Sequence, residues 1–168
     1  MILQKAELLR RVKEQQLIAD YVDLEQQLQP ASFDLTLQKV FALKGAGTID
    51  FDNAERKLSE VEELPFDADG KVFLPKGVYK IRYNEIVSIP PDLCAFNSSR
   101  SSLTRCGAAV QMGFWDPGYS GRSENMLLVM NENGLTLKKD AKLTQLIFVT
   151  LDDHAAELYK GIHQNESV

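Results

Sequence analysis

The sequence predicts an all-β fold, a distorted jelly-roll-like barrel with one amino-terminal helix and one short internal helix. Three observations carry this. Short apolar runs recur from residue 33 to residue 151 with Pro, Gly, Asn or Asp between them. Helical periodicity of any length is confined to the first residues, so strands do not alternate with helices as parallel βαβ units require. The chain has 168 residues, enough for one domain with a proper core and too few for two.

In chain order, Leu8, Leu9, Val12 and Leu17 recur at near-helical spacing among charged residues and predict an amphipathic helix over 5–18, within a helical segment 1–28. Gln29-Pro30-Ala31-Ser32 breaks it, and the alternation of Phe33, Leu35 and Leu37 predicts a strand to Phe41. Residues 44–71 carry glycines at 45, 47 and 70 and a run of Asp and Glu from Asp50 to Asp69. We read them as an acidic surface excursion with at most a short strand at 48–51. Strands follow at 71–74, 78–83, 86–89 and 93–96, then a helical interruption at 99–106, then strands at 110–115, 126–130, 135–137 and 142–151. No internal repeat and no low-complexity tract interrupts the order.

Composition excludes several function classes. A net charge of −5 offers no broad basic face for nucleic acid. The apolar run 143–151 is far too short to span a membrane as a helix. The two cysteines, Cys94 and Cys106, have no metal-ligand spacing, and no signal peptide precedes them, so a reduced, cytoplasmic protein is expected.

Three segments carry chemistry. Asn97 to Arg105 packs five hydroxyls and two guanidinium groups into nine residues. On a short helix, Ser101 and Ser102 at the amino end offer hydroxyls and backbone N–H groups, with Arg105 one turn on, which suits phosphate oxygens. Taken alone, the same residues also make an ordinary serine-capped turn. In Gly113-Phe114-Trp115-Asp116-Pro117-Gly118-Tyr119, the Asp116 carboxylate sits at the end of an apolar strand in a tight turn. It is placed either to cap its own backbone or to act as a general base toward water. The polar segment 159–168, with Tyr159, Lys160, His163 and Gln164, reads by itself as a terminal tail.

Together these segments resemble the dUTPase and dCTP deaminase superfamily, and within it the archaeal-type dUTPases most closely. Ser98-Ser99-Arg100-Ser101-Ser102-Leu103-Thr104-Arg105 is similar to that family's S-S-R-S-S-L-A-R phosphate-binding motif. Trp115-Asp116-Pro117-Gly118-Tyr119-Ser120-Gly121 resembles its third motif, Pro30-Ala31-Ser32-Phe33-Asp34-Leu35 its first, and Ala141 to Phe148 its fourth. Tyr159-Lys160-Gly161-Ile162-His163-Gln164 is similar to its Y-x-G-x-Y-Q tail. Five motifs stand in the family's order across nearly the whole chain.

The resemblance implies a homotrimer with active sites shared between neighbouring chains. It implies cleavage of dUTP to dUMP and pyrophosphate, with Asp116 activating the water that attacks the α-phosphorus. Tyr119 would lie under the deoxyribose and exclude a 2′-hydroxyl. Arg100, Ser101, Ser102 and Gln145 would contact the triphosphate, Ser99 and Arg105 would belong to the substrate-binding set, with holding shape or charge the other role open to Arg105, and Gly113 and Trp115 would belong to the base-binding hairpin, where backbone groups read the base. Tyr159, Lys160 and Gln164 would close over the substrate from the tail. Magnesium would ride on the triphosphate without protein ligands, and Asp34 would be structural.

The sequence departs from the pattern in two places. Deaminases of the family carry a proton-shuttling Glu on the strand after the third motif; here the matching position is Met126 or Leu128, by two ways of counting, and both are apolar. Without that group deamination loses its acid and base, so dUTP hydrolysis is favoured. Glu124, nearby, keeps a deaminase or a bifunctional deaminase and dUTPase as the alternative, beside its reading as a solvated residue at a bulge or turn. The tail lacks the glycine-rich arm of ordinary trimeric dUTPases and has His163 at the usual Tyr position. A non-catalytic nucleotide sensor is the reading from another class; a water-activating carboxylate at Asp116 argues against it.

Overall fold

A computed structural model describes residues 1–168. The first helix, α1, runs Lys5–Gln15, shorter than the periodicity predicts, because Gln16 turns left-handed at φ 53° and closes the helix. Leu17 therefore leaves the helix, yet both it and Ile18 are 1% exposed. They enter the core through a two-residue strand, β1 (Ile18–Ala19), and a short helix follows, α2 (Leu24–Gln27), with the Asp23 carboxylate capping Gln26 N–H. Four residues are too few to leave a helical period in the sequence, so α2 was not expected. The Arg11 guanidinium reaches across to Asp92 at 2.6 Å and clamps α1 to the sheet.

The strands are β2 (Phe33–Lys44), β3 (Glu60–Leu64), β4 (Lys71–Leu74), β5 (Gly77–Ser88), β6 (Leu93–Ser99), β7 (Ala108–Val110), β8 (Phe114–Trp115), β9 (Ser120–Val129), β10 (Leu135–Lys138) and β11 (Lys142–Thr150), with α3 (Ser101–Arg105) between β6 and β7. One sheet curls into a half-barrel in the order β7-β9-β5-β2-β11-β6-β8, with β1 on β5 and β3 on β2; β10 and β4 make a separate ribbon. All pairs are antiparallel. The buried core runs from Leu3 to Phe148, with Tyr83, Phe33 and Phe148 its largest enclosed side chains. Each such aromatic or aliphatic residue stabilises the fold by roughly 1.5–3 kcal/mol.

Three sequence expectations are corrected. The strand expected at 48–51 is a single bridge between Thr48 and Lys57; the true strand of the acidic excursion is β3, whose Glu62 and Glu63 pair with Lys44 and Lys39 at 2.6 and 2.8 Å. The expected strand 110–115 is divided into β7 and β8, with Gln111 to Gly113 between them. The two strands expected at 78–83 and 86–89 are one, β5, because Tyr83-Asn84-Glu85 forms a bulge opposite Ser123 of β9 rather than a turn. Tyr83 and Glu85, two residues apart, both point inward by the strand's ordinary alternation and are fully buried.

Candidate active site

Strands β8 and β9 are joined by the turn Asp116-Pro117-Gly118-Tyr119. Backbone closes it, Tyr119 N–H donating to Asp116 C=O at 3.1 Å, and Gly118 has φ +85°, a conformation a side chain would strain. A Cβ at Gly118 would also lie 2.7 Å from Leu158, so the glycine admits the returning tail. With the turn closed by backbone, the Asp116 carboxylate is not consumed as a cap. It is exposed on the wall of a cavity of about 510 Å³, a size that suits a small ligand.

Gly113, Trp115, Tyr119 and Tyr159, all named from sequence, line the same cavity. Gly113 N–H donates to Asn97 Oδ1 at 2.6 Å, and a Cβ there would lie 2.7 Å from the Asn125 amide nitrogen, so a side chain at 113 would displace the Asn125 amide from the cavity wall. Trp115 and Tyr119 are buried, at 4% and 6% exposure. Ser123, which sequence reasoning did not single out, lies between them: Trp115 Nε1–H donates to its Oγ at 2.5 Å, and its hydroxyl is 3.2 Å from the Tyr119 hydroxyl. Burial pushes the Tyr119 phenol well above its usual range, so it stays protonated at neutral pH.

The carboxyl-terminal segment folds back on this turn within its own chain. Gln164 reads both sides of it, its Oε1 accepting from Ser120 N–H at 3.1 Å and its Nε2 donating to Gly118 C=O at 2.9 Å. Asn165 N–H to Ser120 C=O and Arg122 N–H to Glu166 C=O extend the pairing along β9. Tyr159 meets Tyr119 edge to face, centroids 5.7 Å apart, and Glu166 accepts from the Tyr119 hydroxyl at 3.1 Å. His163 is 2.9 Å from the other Glu166 oxygen and lines the cavity too. Lys160 is exposed and Gln164 lies behind the turn; neither lines the cavity.

Glu124 is not a solvated turn residue. It lies within β9 on the cavity wall and accepts from Lys80 at 2.5 Å and from Arg82 at 2.7 Å, both cations also standing over the Phe41 ring at 4.8 and 5.3 Å. Lys80 is the single Lys or Arg lining the cavity, against three carboxylates, Asp116, Glu124 and Glu166. By itself this cavity repels a polyphosphate.

The serine and arginine cluster lies elsewhere. None of Ser99, Arg100, Ser101, Ser102, Arg105 or Gln145 lines the cavity. Ser99 is tied to Val110, donating to its C=O at 3.0 Å and accepting from its N–H at 2.8 Å. Ser101 and Ser102 open α3, and with Arg105 they are exposed. Arg100, at the end of β6, stands 3.4 Å from the buried Asp34 carboxylate, with Lys142 at 3.7 Å and Gln145 Nε2 3.4 Å from Ser32 beside them. Burial raises the Asp34 pKa while Arg100 and Lys142 pull it down. The first, second and fourth motifs thus form one basic, hydroxyl-rich face, and the third motif with the tail forms the carboxylate-bearing cavity.

The model of the dCTP deaminase-like family matches residues 2–151. The chain belongs to that family. Among its dCTP deaminase-like relatives, the probable deoxyuridine 5′-triphosphate nucleotidohydrolase of Methanosarcina mazei is 48% identical over 151 residues, covering 90% of this chain and 88% of the relative. The protein of the same description from Archaeoglobus fulgidus is 42% identical over 167 residues, 99% and 98% of the two chains. The crystal structure of the 2′-deoxycytidine 5′-triphosphate deaminase of Agrobacterium tumefaciens superposes with a TM-score of 0.67 at 21% identity, covering 88% of this chain and 47% of that one, so the fold is shared with a protein about twice as long.

Met126 is exposed and lines the cavity, Leu128 is half-buried and does not, and the nearest carboxylate, Glu124, is already engaged by two cations. No helix is long and apolar enough to cross a membrane, and both cysteines are free.

Proposed function

We propose that this chain is a dUTP diphosphatase that works as a homotrimer. Water, deprotonated by Asp116, forms a bond to the α-phosphorus; the bond from that phosphorus to the bridging oxygen of the β-phosphate breaks, and pyrophosphate leaves while the proton passes to the carboxylate. The observation that carries this reading is Asp116 itself, exposed at a rigid turn on the cavity wall, beside the buried ring of Tyr119. Relatives at 42–48% identity described as deoxyuridine triphosphate nucleotidohydrolases support it.

The charge distribution supports shared sites. A cavity with three carboxylates and one paired lysine needs cations from outside itself to hold a triphosphate, and the face of half-buried Arg100 with exposed Ser101, Ser102 and Arg105 from a neighbouring copy is their source. Magnesium would enter with the substrate, whose phosphate oxygens are the hard donors it prefers. Bound there, it neutralises part of the triphosphate charge. We place the protein in the cytoplasm, where free Cys94 and Cys106 remain reduced.

Incubation with dUTP, dCTP and dTTP plus magnesium, with products resolved by chromatography, tests the reading. Pyrophosphate and dUMP are expected from dUTP alone. Formation of dUTP or dUMP from dCTP overturns it in favour of a deaminase, and binding without turnover overturns it in favour of a nucleotide sensor. Gln164 supplies a second prediction. Gln164→Ala removes both tail-to-turn bonds from a half-buried position without touching the core. It is expected to raise KM for dUTP by about threefold to tenfold, the worth of a lost hydrogen bond or two, with the melting temperature unchanged; steady-state kinetics and calorimetry check both halves.

A further inference from the structure

We propose that Ser123 is the positioning residue that sets sugar discrimination, by fixing the Trp115 and Tyr119 rings through one directed chain of hydrogen bonds. The inference rests on the reading of the cavity as a deoxynucleotide site and adds to it a residue outside the five motifs.

Donor counting gives the direction. Indole has a single N–H and no acceptor, so Trp115 must donate to Ser123 Oγ. Tyr119 has one hydroxyl proton, and Glu166 Oε1 at 3.1 Å can only accept it while ionised. The Tyr119 oxygen is then left as the acceptor, and Ser123 is the donor across the 3.2 Å contact. The chain runs Trp115 N–H to Ser123, Ser123 O–H to Tyr119, Tyr119 O–H to Glu166, and each bond polarises the next. Ser123 is the one member that stands between the two rings and joins them, and it is 4% exposed.

Its place in the fold is equally constrained. Ser123 stands opposite the bulge of β5, where three residues face one. The register break leaves it inward-pointing beside the two rings, while Glu124 points to the charged wall. A ring that excludes a 2′-hydroxyl by shape must hold its orientation, because the added group is small and shape alone discriminates weakly against it. Aromatic packing alone restrains a ring less sharply in its own plane than a hydrogen bond to its edge does.

Ser123→Ala is expected to narrow the dUTP-over-UTP ratio of kcat/KM by about fivefold or more, a lost hydrogen bond's worth, chiefly by improving UTP. The emission maximum of Trp115 should shift with it, cleanly readable because the chain has one tryptophan. Ser123→Thr, which keeps the hydroxyl, should restore both. Tyr119→Phe breaks the same bond from the other side without a change in the ring, and should narrow the ratio likewise even if Ser123→Ala fails to fold. An unchanged ratio in a folded Ser123→Ala, or in Tyr119→Phe, overturns the assignment. A wild-type protein that does not prefer dUTP to UTP overturns instead the reading of the cavity on which it rests.

Discussion

Replacing Asp116 by Asn is expected to lower kcat for dUTP by about 10²-fold to 10⁴-fold, the usual contribution of a positioned general base, while a non-hydrolysable dUTP analogue binds within a few-fold of wild type. Asn keeps the shape of the side chain and removes its basicity. The turn should survive, because it is closed by Tyr119 N–H to Asp116 C=O and by the left-handed Gly118, neither of which uses the carboxylate. Rapid-quench turnover and calorimetric titration separate the two effects.

The same variant tests whether sites are shared. Arg100→Gln should be inactive for a different reason, loss of charge on the triphosphate side. If each site of a trimer takes Asp116 from one chain and Arg100 from the next, an equimolar mixture of the two dead variants, unfolded and refolded together, contains intact sites with a probability of one half times one half. About one quarter of wild-type activity should then return, as closed heterologous assembly requires. Activity that stays at the level of the separate variants places all the groups in one chain and contradicts the shared site. The separation of the basic face from the acidic cavity within one chain is what makes this outcome expected.

The motif residues were legible in the sequence because each carries its chemistry in its own type and spacing. Asp-Pro-Gly marks a tight turn that carries a carboxylate, and Ser-Ser-Arg-Ser-Ser gathers hydroxyls beside a guanidinium, before any tertiary contact is known. Strand existence was legible for the same reason, since apolar alternation is local. What the sequence hid depends on distant partners. Tyr83-Asn84-Glu85 looks like a turn, and only the inward bulge, held by Gln27 and Thr36, makes it part of β5. β3 is hidden in an acidic run because its pairing with Lys39 and Lys44 neutralises charges that in isolation read as solvated. Ser123 carries no signal beyond its place two residues after Gly121, and its role comes from two rings brought to it by a turn and a strand.

Glu85 gives the largest expected effect on stability. It is fully buried, yet its carboxyl accepts from Thr36 N–H at 2.9 Å, from Thr36 Oγ1 at 2.5 Å and from Gln27 Nε2 at 2.6 Å, joining α2, β2 and the bulge of β5. Glu85→Ala takes the acceptor from the Thr36 N–H, from the Thr36 hydroxyl and from one of the two Gln27 amide protons, the other still donating to Asp34 C=O, which costs about 3 kcal/mol; for a chain of this size that lowers the melting temperature by roughly 6–12 °C. The pH dependence has a definite sign. Burial raises the Glu85 pKa above its usual value, more than the three donors lower it. Below the unfolded pKa the group is protonated in both states and contributes no slope. Between the unfolded pKa and the raised folded one, the unfolded chain releases a proton that the folded chain keeps, so stability falls as pH rises through that window and levels off above it. Glu7 and Asp92, held below the usual range by Arg10 and Arg11 and by Arg11, act in the opposite sense and at lower pH. Subtracting the urea-unfolding profile of Glu85→Gln from that of the wild type cancels those shared contributions. The difference should retain a decline with rising pH that begins near the ordinary glutamate pKa; a flat difference would mean that the carboxyl is ionised in the core as readily as in water, and a rising one that it is ionised more readily there.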